Sequence, residues 1–218
     1  SFSSDSNSKD DFGPHTPGFI SVEYGSSEAI EKAINKNTAA VLIEPIQGEG
    51  GIIVPPEHYL PKVREICTEH NVLMIMDEIQ SGLGRTGKMF AFQHSHIQPD
   101  GLILGKALGG GFMPVSCFLS SKEVMQWMNP GSHGSTFGGN PLAMSVGNAV
   151  MDIISNKKFL NNVKSLSKYF LFKLNKIQEK YPNLIKQIRG RGFLIGIQLY
   201  KDQTEFIKKL MYNQLLTI

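Results

Sequence analysis

The segment at residues 39 to 78, AAVLIEPIQGEGGIIVPPEHYLPKVREICTEHNVLMIMDE, decides the fold. It begins with an apolar run, AAVLIE, that predicts a buried strand, and a short helix from Ser27 to Lys36 with Ser27 as its N-cap is predicted before it. Residues 59 to 70 place apolar side chains at helical spacing, and a second apolar run, VLMIMDE, follows. A strand, a helix and a second strand in this order predict a β-α-β unit.

The same alternation continues toward the carboxyl terminus. The runs GLILG at residues 101 to 105 and PVSCFLS at 114 to 120 predict two more buried strands. Continuous apolar strands separated by helices are typical of an α/β fold, in which a mostly parallel sheet has helices on both faces. Ligands of such sheets bind beyond the carboxyl ends of the strands, so polar residues at those positions are candidate functional residues.

The pattern becomes helical from residue 140 onward, and RGRGFLIGIQLY at 189 to 200 predicts one glycine-interrupted strand of a second domain. We therefore predict a sheet domain over residues 1 to 155 and the beginning of a smaller domain over 156 to 218. The final residues, TEFIKKLMYNQLLTI, keep near-helical spacing to the last position, and we expect the fold to be incomplete at both ends.

The composition excludes several classes of function. The sequence is 41% hydrophobic and 19% charged, and no apolar run approaches the ~20 residues that span a bilayer, so we expect no membrane insertion. The net charge of +3 is small and its basic residues are spread along a helix, so nucleic-acid binding is not expected. Cys67 and Cys117 lack the spacing of a zinc or redox site. We expect a cytoplasmic protein, with the mitochondrial matrix as the alternative.

Two glycine-rich segments match nucleotide-binding motifs only superficially. GLGRTG at residues 82 to 87 fits the dinucleotide fingerprint letter by letter. However, Asp77, Glu78, Ile79 and Gln80 lie between the run VLMIM and this segment, and only a brief helical stretch follows, whereas a true fingerprint joins a strand directly to a long helix. The segment from Gly101 to Lys106 lacks one residue of a phosphate-binding loop, and Ala107 replaces its hydroxyl residue.

A possible metal site consists of His94 and His96, with Asp100 near by in the sequence. Such a pair ligates a metal only when a third ligand converges on it. The alternative is a solvated loop between a helix and a strand, and the lack of a companion cluster of ligand residues favours this alternative.

A more informative combination comes from polar residues at the ends of two strands. Asp77 ends the run VLMIM, Gln80 lies three residues later, and Lys106 follows GLILG. In a parallel sheet all three would point into one crevice. Pyridoxal phosphate needs a lysine amine that bonds to its aldehyde carbon and a buried carboxylate that keeps its pyridine nitrogen protonated. Each residue taken alone is more often a surface residue or an ion-pair partner, but their shared position favours a cofactor site.

At these residues the chain resembles the class III aminotransferases of the type I pyridoxal-phosphate fold. The resemblance covers almost all of the chain and is carried by EPIQGEGG at 44 to 51, LMIMDEIQSGLGRTG at 73 to 87, PDGLILGKALGGG at 99 to 111 and HGSTFGGNP at 133 to 141. It implies that the first predicted domain is part of the large cofactor-binding domain and that the second begins the small carboxyl-terminal domain.

The resemblance also implies a role for each cofactor-binding residue. Lys106 would be the catalytic lysine that holds pyridoxal 5'-phosphate and moves a proton between substrate and cofactor. Asp77 would pair with the pyridine nitrogen, Gln80 would bond the phenolic oxygen, and Ile79 would pack on the ring. Thr136, with Ser135 beside it, would bind the cofactor phosphate of a neighbouring subunit, which implies a homodimer.

The expected substrates are an amino acid and a 2-oxo acid. FGPHTPGF and NPGSHGSTFGGNPLA resemble the ornithine-type members most, whereas EPIQGEGG is shared with the acetylornithine type. The resemblance therefore implies transfer of the δ-amino group of ornithine to 2-oxoglutarate, with N-acetylornithine as the alternative donor and a non-catalytic remnant of the fold as another alternative. Glu49 matches a glutamate that pairs with an arginine and controls access to a substrate carboxylate site.

Overall fold

The computed structural model describes residue 3 and residues 5 to 217. Helices and strands alternate through the first two thirds of the chain, and a long helix then leads to a two-stranded hairpin. In chain order the elements are α1 (Ser27–Ala33), β1 (Ala40–Ile43), α2 (Tyr59–Glu69), β2 (Leu73–Asp77), β3 (Gly101–Leu104), β4 (Cys117–Ser120), α3 (Lys122–Met125), α4 (Pro141–Ile154), α5 (Lys157–Lys180), β5 (Ile185–Arg191), β6 (Leu194–Leu199) and α6 (Thr204–Tyr212).

The main sheet has the strand order β1-β2-β3-β4. The first three strands are parallel, with Ile43 beside Met76 and Asp77 beside Ile103. The fourth strand, within PVSCFLS, is antiparallel to β3, which a mostly parallel sheet allows. Residues 105 to 116 join β3 to β4 and contain only the short 3-10 helix Lys106–Gly109, not the α-helix that usually connects two parallel strands. The predicted α/β class with a mostly parallel sheet is confirmed.

The hydrophobic core lies on one face of this sheet. Met74 and Met76 of β2 are fully buried there, and Leu104 of β3 is nearly so. Helix α2 covers these side chains with Val63 and Cys67, both fully buried. The opposite face is more open, since Leu42 is 39% exposed. Because side chains alternate between the faces of a strand, Asp77 lies on the open face.

The segment at residues 189 to 200 forms two strands and not the single strand predicted from the sequence. Strands β5 and β6 make an antiparallel hairpin that turns at Gly192, whose φ of +63° is one that glycine adopts without strain. A Cβ on Gly192 would lie 2.5 Å from the Cα of Thr86, and the Phe193 amide donates to the Arg85 carbonyl at 2.9 Å. The hairpin tip therefore packs directly on the 85 to 87 turn.

Two predicted helix ends also differ from the structure. Helix α1 is capped by Ser26, whose hydroxyl accepts from the Ala29 amide at 3.1 Å, and not by Ser27. Helix α6 ends at Tyr212, before the last described residues, although the sequence pattern predicted helix to the end. In the part of the chain that the structure describes, no helix combines the length and apolar character that crossing a bilayer requires.

Candidate active site

Lys106 lies directly beyond the carboxyl end of β3, at the start of a 3-10 helix, Lys106–Gly109. Its φ of +44° is unfavourable for a residue with a side chain. Non-glycine residues keep such backbone angles only where the surrounding structure enforces them, and these positions cluster at functional sites. Its side chain is 54% exposed, so the amine reaches the crevice at the edge of the sheet.

Glu49 and Gln80 approach Lys106 from two other segments of the chain. The Glu49 carboxylate lies 3.9 Å from the Lys106 amine, and it also accepts a hydrogen bond from the Gln80 side-chain amide. Glu49 is 77% exposed, so this ion pair contributes little to stability, ~0–1 kcal/mol. The contacts instead determine where the three polar groups lie relative to one another.

Gly48 permits the approach of Gln80 to this group. A Cβ on Gly48 would overlap the Oε1 and Cδ atoms of Gln80 and would lie 3.0 Å from its Nε2. The Gln80 amide therefore lies against the Gly48 backbone, in space that any side chain at position 48 would occupy. Sequence analysis did not identify Gly48, because a close approach between segments 32 residues apart leaves no local signal.

Asp77 and Ile79 lie on the sheet side of the same crevice. The Asp77 Oδ1 atom accepts from the Ile79 amide at 3.0 Å, and among the described residues no other hydrogen bond reaches this carboxylate. The second carboxylate oxygen is thus available to a ligand. Ile79 packs against Gly105, the residue before the lysine, because a Cβ on Gly105 would contact the Ile79 side chain at 3.5 Å.

Glu44 adds a second carboxyl group to the electrostatics of this region. Its Oε2 atom accepts from the Gly48 amide at 2.7 Å and so holds the loop that carries Glu49. Burial raises the pKa of the Glu44 carboxyl, and the negative charge of Asp77 adds to this rise. The hydrogen bond from the Gly48 amide and the positive charge of Lys106 oppose it. The charges of Asp77 and Lys106, two of the predicted cofactor-binding residues, therefore act on the Glu44 carboxyl.

Glu78 is a buried anchor that the sequence analysis missed. Its carboxylate accepts hydrogen bonds from the Ala91 amide at 2.9 Å, the Phe92 amide at 2.8 Å and the Ser81 hydroxyl at 2.9 Å. Burial raises its pKa despite these bonds. Because side chains alternate between the two faces of a strand, Glu78 lies on the same face as Met76 and points into the core. An acidic residue at a position that the alternation assigns to the apolar face was the sequence signal that could have identified it. Glu78 thereby fixes the turn that carries Gln80.

Ser135 and Thr136 are not brought to this group of residues. They lie in an exposed loop before α4, where the Ser135 hydroxyl accepts from the Gly138 amide at 3.0 Å. No hydrogen bond within residues 5 to 217 joins either hydroxyl to Lys106, Asp77 or Gln80. Their role at a neighbouring subunit remains a prediction.

The weaker sequence motifs have structural explanations. His94 bonds Thr86 at 3.1 Å, while Asp100 pairs with Arg64 at 2.6 Å and accepts from the Met74 amide at 2.7 Å. Residues 3 and 5 to 217 contain no cluster of three metal-ligating side chains. The GLGRTG segment forms turns, followed by the 3-10 helix Ala91–Ser95, and not the long helix that a dinucleotide fingerprint requires.

The residues at this edge fit the ring end of pyridoxal phosphate. Lys106 supplies an amine, Asp77 an available carboxylate oxygen, and Gln80 an amide. Ile79 offers an apolar side chain next to them. An amine that can bond to an aldehyde and a carboxylate that can hold a protonated ring nitrogen are the two groups this cofactor requires.

Comparisons with known proteins agree with this description. A family model described as aminotransferase class-III matches residues 1 to 217. Ornithine aminotransferase 2 of Staphylococcus saprophyticus is 53% identical over 205 residues, which are 94% of this chain and 51% of that protein. The chain spans about half the length of the curated relatives that it matches.

Solved structures show the same similarity. An ornithine aminotransferase from Toxoplasma gondii, described as having partial occupancy of PLP at its active site, matches with a TM-score of 0.94 at 39% identity. That match covers all of this chain and 52% of the other. An acetylornithine aminotransferase from Elizabethkingia anophelis matches with a TM-score of 0.86 at 44% identity, over 92% of this chain and 54% of the other.

Proposed function

The chain belongs to the class III aminotransferase family, and we propose from this that the full-length protein transfers the δ-amino group of ornithine to 2-oxoglutarate with pyridoxal 5'-phosphate as cofactor. The products are glutamate semialdehyde and glutamate. The observation that carries the proposal is the convergence of Lys106, Glu49 and Gln80 at the carboxyl end of the parallel strands, beside Asp77. The names of the relatives support ornithine as the donor.

Bound pyridoxal phosphate supplies an electron sink for the carbon from which a proton is removed. Lys106 would hold the cofactor through its amine, and the same Nζ atom, when free, would be the base that accepts and returns the substrate proton. Asp77 would keep the ring nitrogen protonated through its free carboxylate oxygen, since Oδ1 accepts from the Ile79 amide. Gln80 would donate its side-chain amide to the phenolic oxygen, and Ile79 would shield one side of the ring from water.

Glu49 is the residue that we propose to control the substrate carboxylate site. Ornithine presents one carboxylate, whereas 2-oxoglutarate presents two, so the site must supply one more cation in the second half-reaction than in the first. Glu49 lies on an exposed loop at the crevice and already contacts one cation, the Lys106 amine. A glutamate in this position can mask a cationic group for one substrate and move away for the other.

The experiment uses the full-length protein with bound cofactor and follows the first half-reaction by absorbance. Ornithine and N-acetylornithine are compared as donors by kcat/KM, because the acetyl group occupies the space of the charged α-amine. A preference for ornithine supports the proposal, and a preference for N-acetylornithine would favour the type found in Elizabethkingia anophelis. Failure of both donors to react would support a non-catalytic remnant.

We also propose that the protein is a homodimer in which Ser135 and Thr136 bind the cofactor phosphate of the partner. Exposed large apolar side chains support an interface, because Phe137 of this loop is 77% exposed, Phe112 88% and Trp127 78%. Light scattering of the full-length protein measures the oligomeric state directly. The cytoplasmic location expected from the sequence stays a prediction.

We likewise propose a division into two domains. Residues 1 to 155 contain the four-stranded sheet with its edge residues, and residues 156 to 218 contain α5, the hairpin and α6. The two sheets share no strand, which supports a boundary near Asn156, the N-cap of α5.

A further inference from the structure

We propose that Arg189, in the hairpin of the second predicted domain, is a positioning residue that holds the Glu49 loop and so sets the choice between substrates. The inference rests on the proposed function of Glu49. It assigns to the hairpin a role in selectivity, although Arg189 itself touches none of the predicted cofactor-binding side chains among the described residues.

Arg189 joins two segments that are 138 residues apart. Its Nε atom donates to the Gly51 carbonyl at 2.7 Å, while its Nη1 atom donates to Gln198 Oε1 at 2.9 Å and to Gln187 Oε1 at 3.3 Å. The two glutamines lie in the hairpin and orient the planar guanidinium toward the loop. All of these acceptors are neutral, so the side chain fixes a position and does not neutralise an acid.

The loop between Gln47 and Ile53 depends on such an external contact. Gly51 has a φ of +105°, and Ile52 has a φ of +55°, which is costly for a β-branched residue. The Gly51 and Ile52 amides both donate to the Gly48 carbonyl, and Gln47 pairs with Ile53 across the loop base. A strained conformation of this kind persists only where surrounding contacts determine it.

The hairpin contacts the same loop a second time through Gly196, which lies opposite Arg189 across the two strands. A Cβ on Gly196 would lie 3.1 Å from the Ile52 Cβ and 3.3 Å from the Gly51 carbonyl oxygen. The hairpin thus holds the loop through two contacts, the hydrogen bond from Arg189 and the close approach of the Gly196 backbone. Glu49 is only two residues from Gly51, so a movement of the hairpin shifts the carboxylate that contacts Gln80 and Lys106.

The first measurement is amide hydrogen exchange of full-length Arg189→Met, compared with Arg191→Met as the matched control. Arg191 lies two residues along the same strand and makes no hydrogen bond to the loop within the described residues. We expect exchange in the peptide spanning residues 47 to 53 to rise about tenfold in Arg189→Met, the effect of losing one charge-assisted hydrogen bond, and to stay unchanged in Arg191→Met. Equal exchange in both variants would overturn the proposal.

The second measurement is the ratio of kcat/KM for ornithine to that for glutamate as amino donors. Arg189→Met should change this ratio by roughly three- to tenfold in the wild-type background and leave it unchanged in a Glu49→Ala background, as expected for residues that act through one another. Equal shifts in both backgrounds would show that Arg189 does not act through Glu49. A wild-type protein that uses neither donor would contradict the proposed function itself, while the exchange data would still test the contact.

A further variant, Gly196→Ala, perturbs the same contact from the other side and keeps the test decisive if Arg189→Met does not fold. Its added methyl group presses on Ile52, and it should change the donor ratio while the exchange of the 85 to 87 turn stays at the wild-type rate. An unchanged ratio in a folded Gly196→Ala protein would contradict the proposal.

Discussion

Replacing Gly48 by alanine should displace Gln80 from the crevice while leaving the fold intact. The added Cβ would overlap the Oε1 and Cδ atoms of Gln80, so that side chain must rotate away and lose its hydrogen bond to Glu49. Gly48 does not have a left-handed φ, so alanine brings no backbone strain of that kind. The clash is with the end of a flexible side chain, which can move.

Two different magnitudes follow from this geometry. The Gln80 contact is exposed, so its loss should change the free energy of unfolding by no more than about 1 kcal/mol. If Gln80 donates to the cofactor during the reaction, that hydrogen bond to a charged group is worth about 1.5–3 kcal/mol. The value of kcat/KM for ornithine should therefore fall about ten- to hundredfold.

The assay compares Gly48→Ala, Gln80→Ala and the double variant in the full-length enzyme, with thermal unfolding measured on each. Gly48→Ala should lose about as much activity as Gln80→Ala, and the double variant should lose no more than either, because both changes remove one contact. A wild-type rate in Gly48→Ala would refute the reasoning, as would a double variant whose loss is the product of the two single losses.

Three further changes test neighbouring parts of the structure. Glu78→Gln leaves one amide oxygen to serve three buried donors, so the free energy of unfolding should fall by about 1–3 kcal/mol in urea titrations; a smaller loss would show that Glu78 is not an anchor. Burial lowers the pKa of His94 to about 4, below its ordinary 6.5, because the folded state favours the neutral imidazole. The stability that this contributes is fully present above pH 6.5. The free energy of unfolding should fall by about 1–2 kcal/mol toward pH 4, after allowance for partial exposure. His94→Gln should remove that pH dependence, and an unchanged profile would contradict this assignment. Asp77→Asn should keep the cofactor bound, as absorbance spectra would show. It should lower kcat at least about tenfold, because a neutral amide cannot stabilise the protonated ring nitrogen by charge. A normal kcat would show that Asp77 does not contact that nitrogen.

The parts of the fold that the sequence predicted are those with a strong local pattern. The apolar runs that end at Ile43, Asp77 and Leu104 predicted the parallel strands, and the positions of Asp77 and Lys106 after two of these runs predicted that both lie at one edge of the sheet. The direction of β4 was not predicted, because a short apolar run carries no information about its direction. The hairpin turn at Gly192 was missed since it depends on packing against Thr86.

In the candidate site, too, the residues in local motifs were predicted, and those that depend on distant contacts were not. Lys106, Asp77, Gln80 and Glu49 lie at motif positions, and the structure brings Lys106, Gln80 and Glu49 into contact. The contributions of Gly48 and Arg189 come from contacts 32 and 138 residues apart along the chain. Contacts of this kind follow from the tertiary fold, and one sequence has no periodicity that would reveal them.

Lys106, at the end of β3, is the residue that we propose to hold the cofactor. Treatment of the full-length protein and pyridoxal phosphate with sodium borohydride makes the bond between cofactor and lysine permanent, and mass spectrometry of a digest then locates the modified residue. The control is Lys106→Ala, which should take up no stoichiometric label and show no transamination. We predict one label per chain on the peptide that contains Lys106; a stoichiometric label on a different lysine, or an unchanged label in Lys106→Ala, would contradict the account.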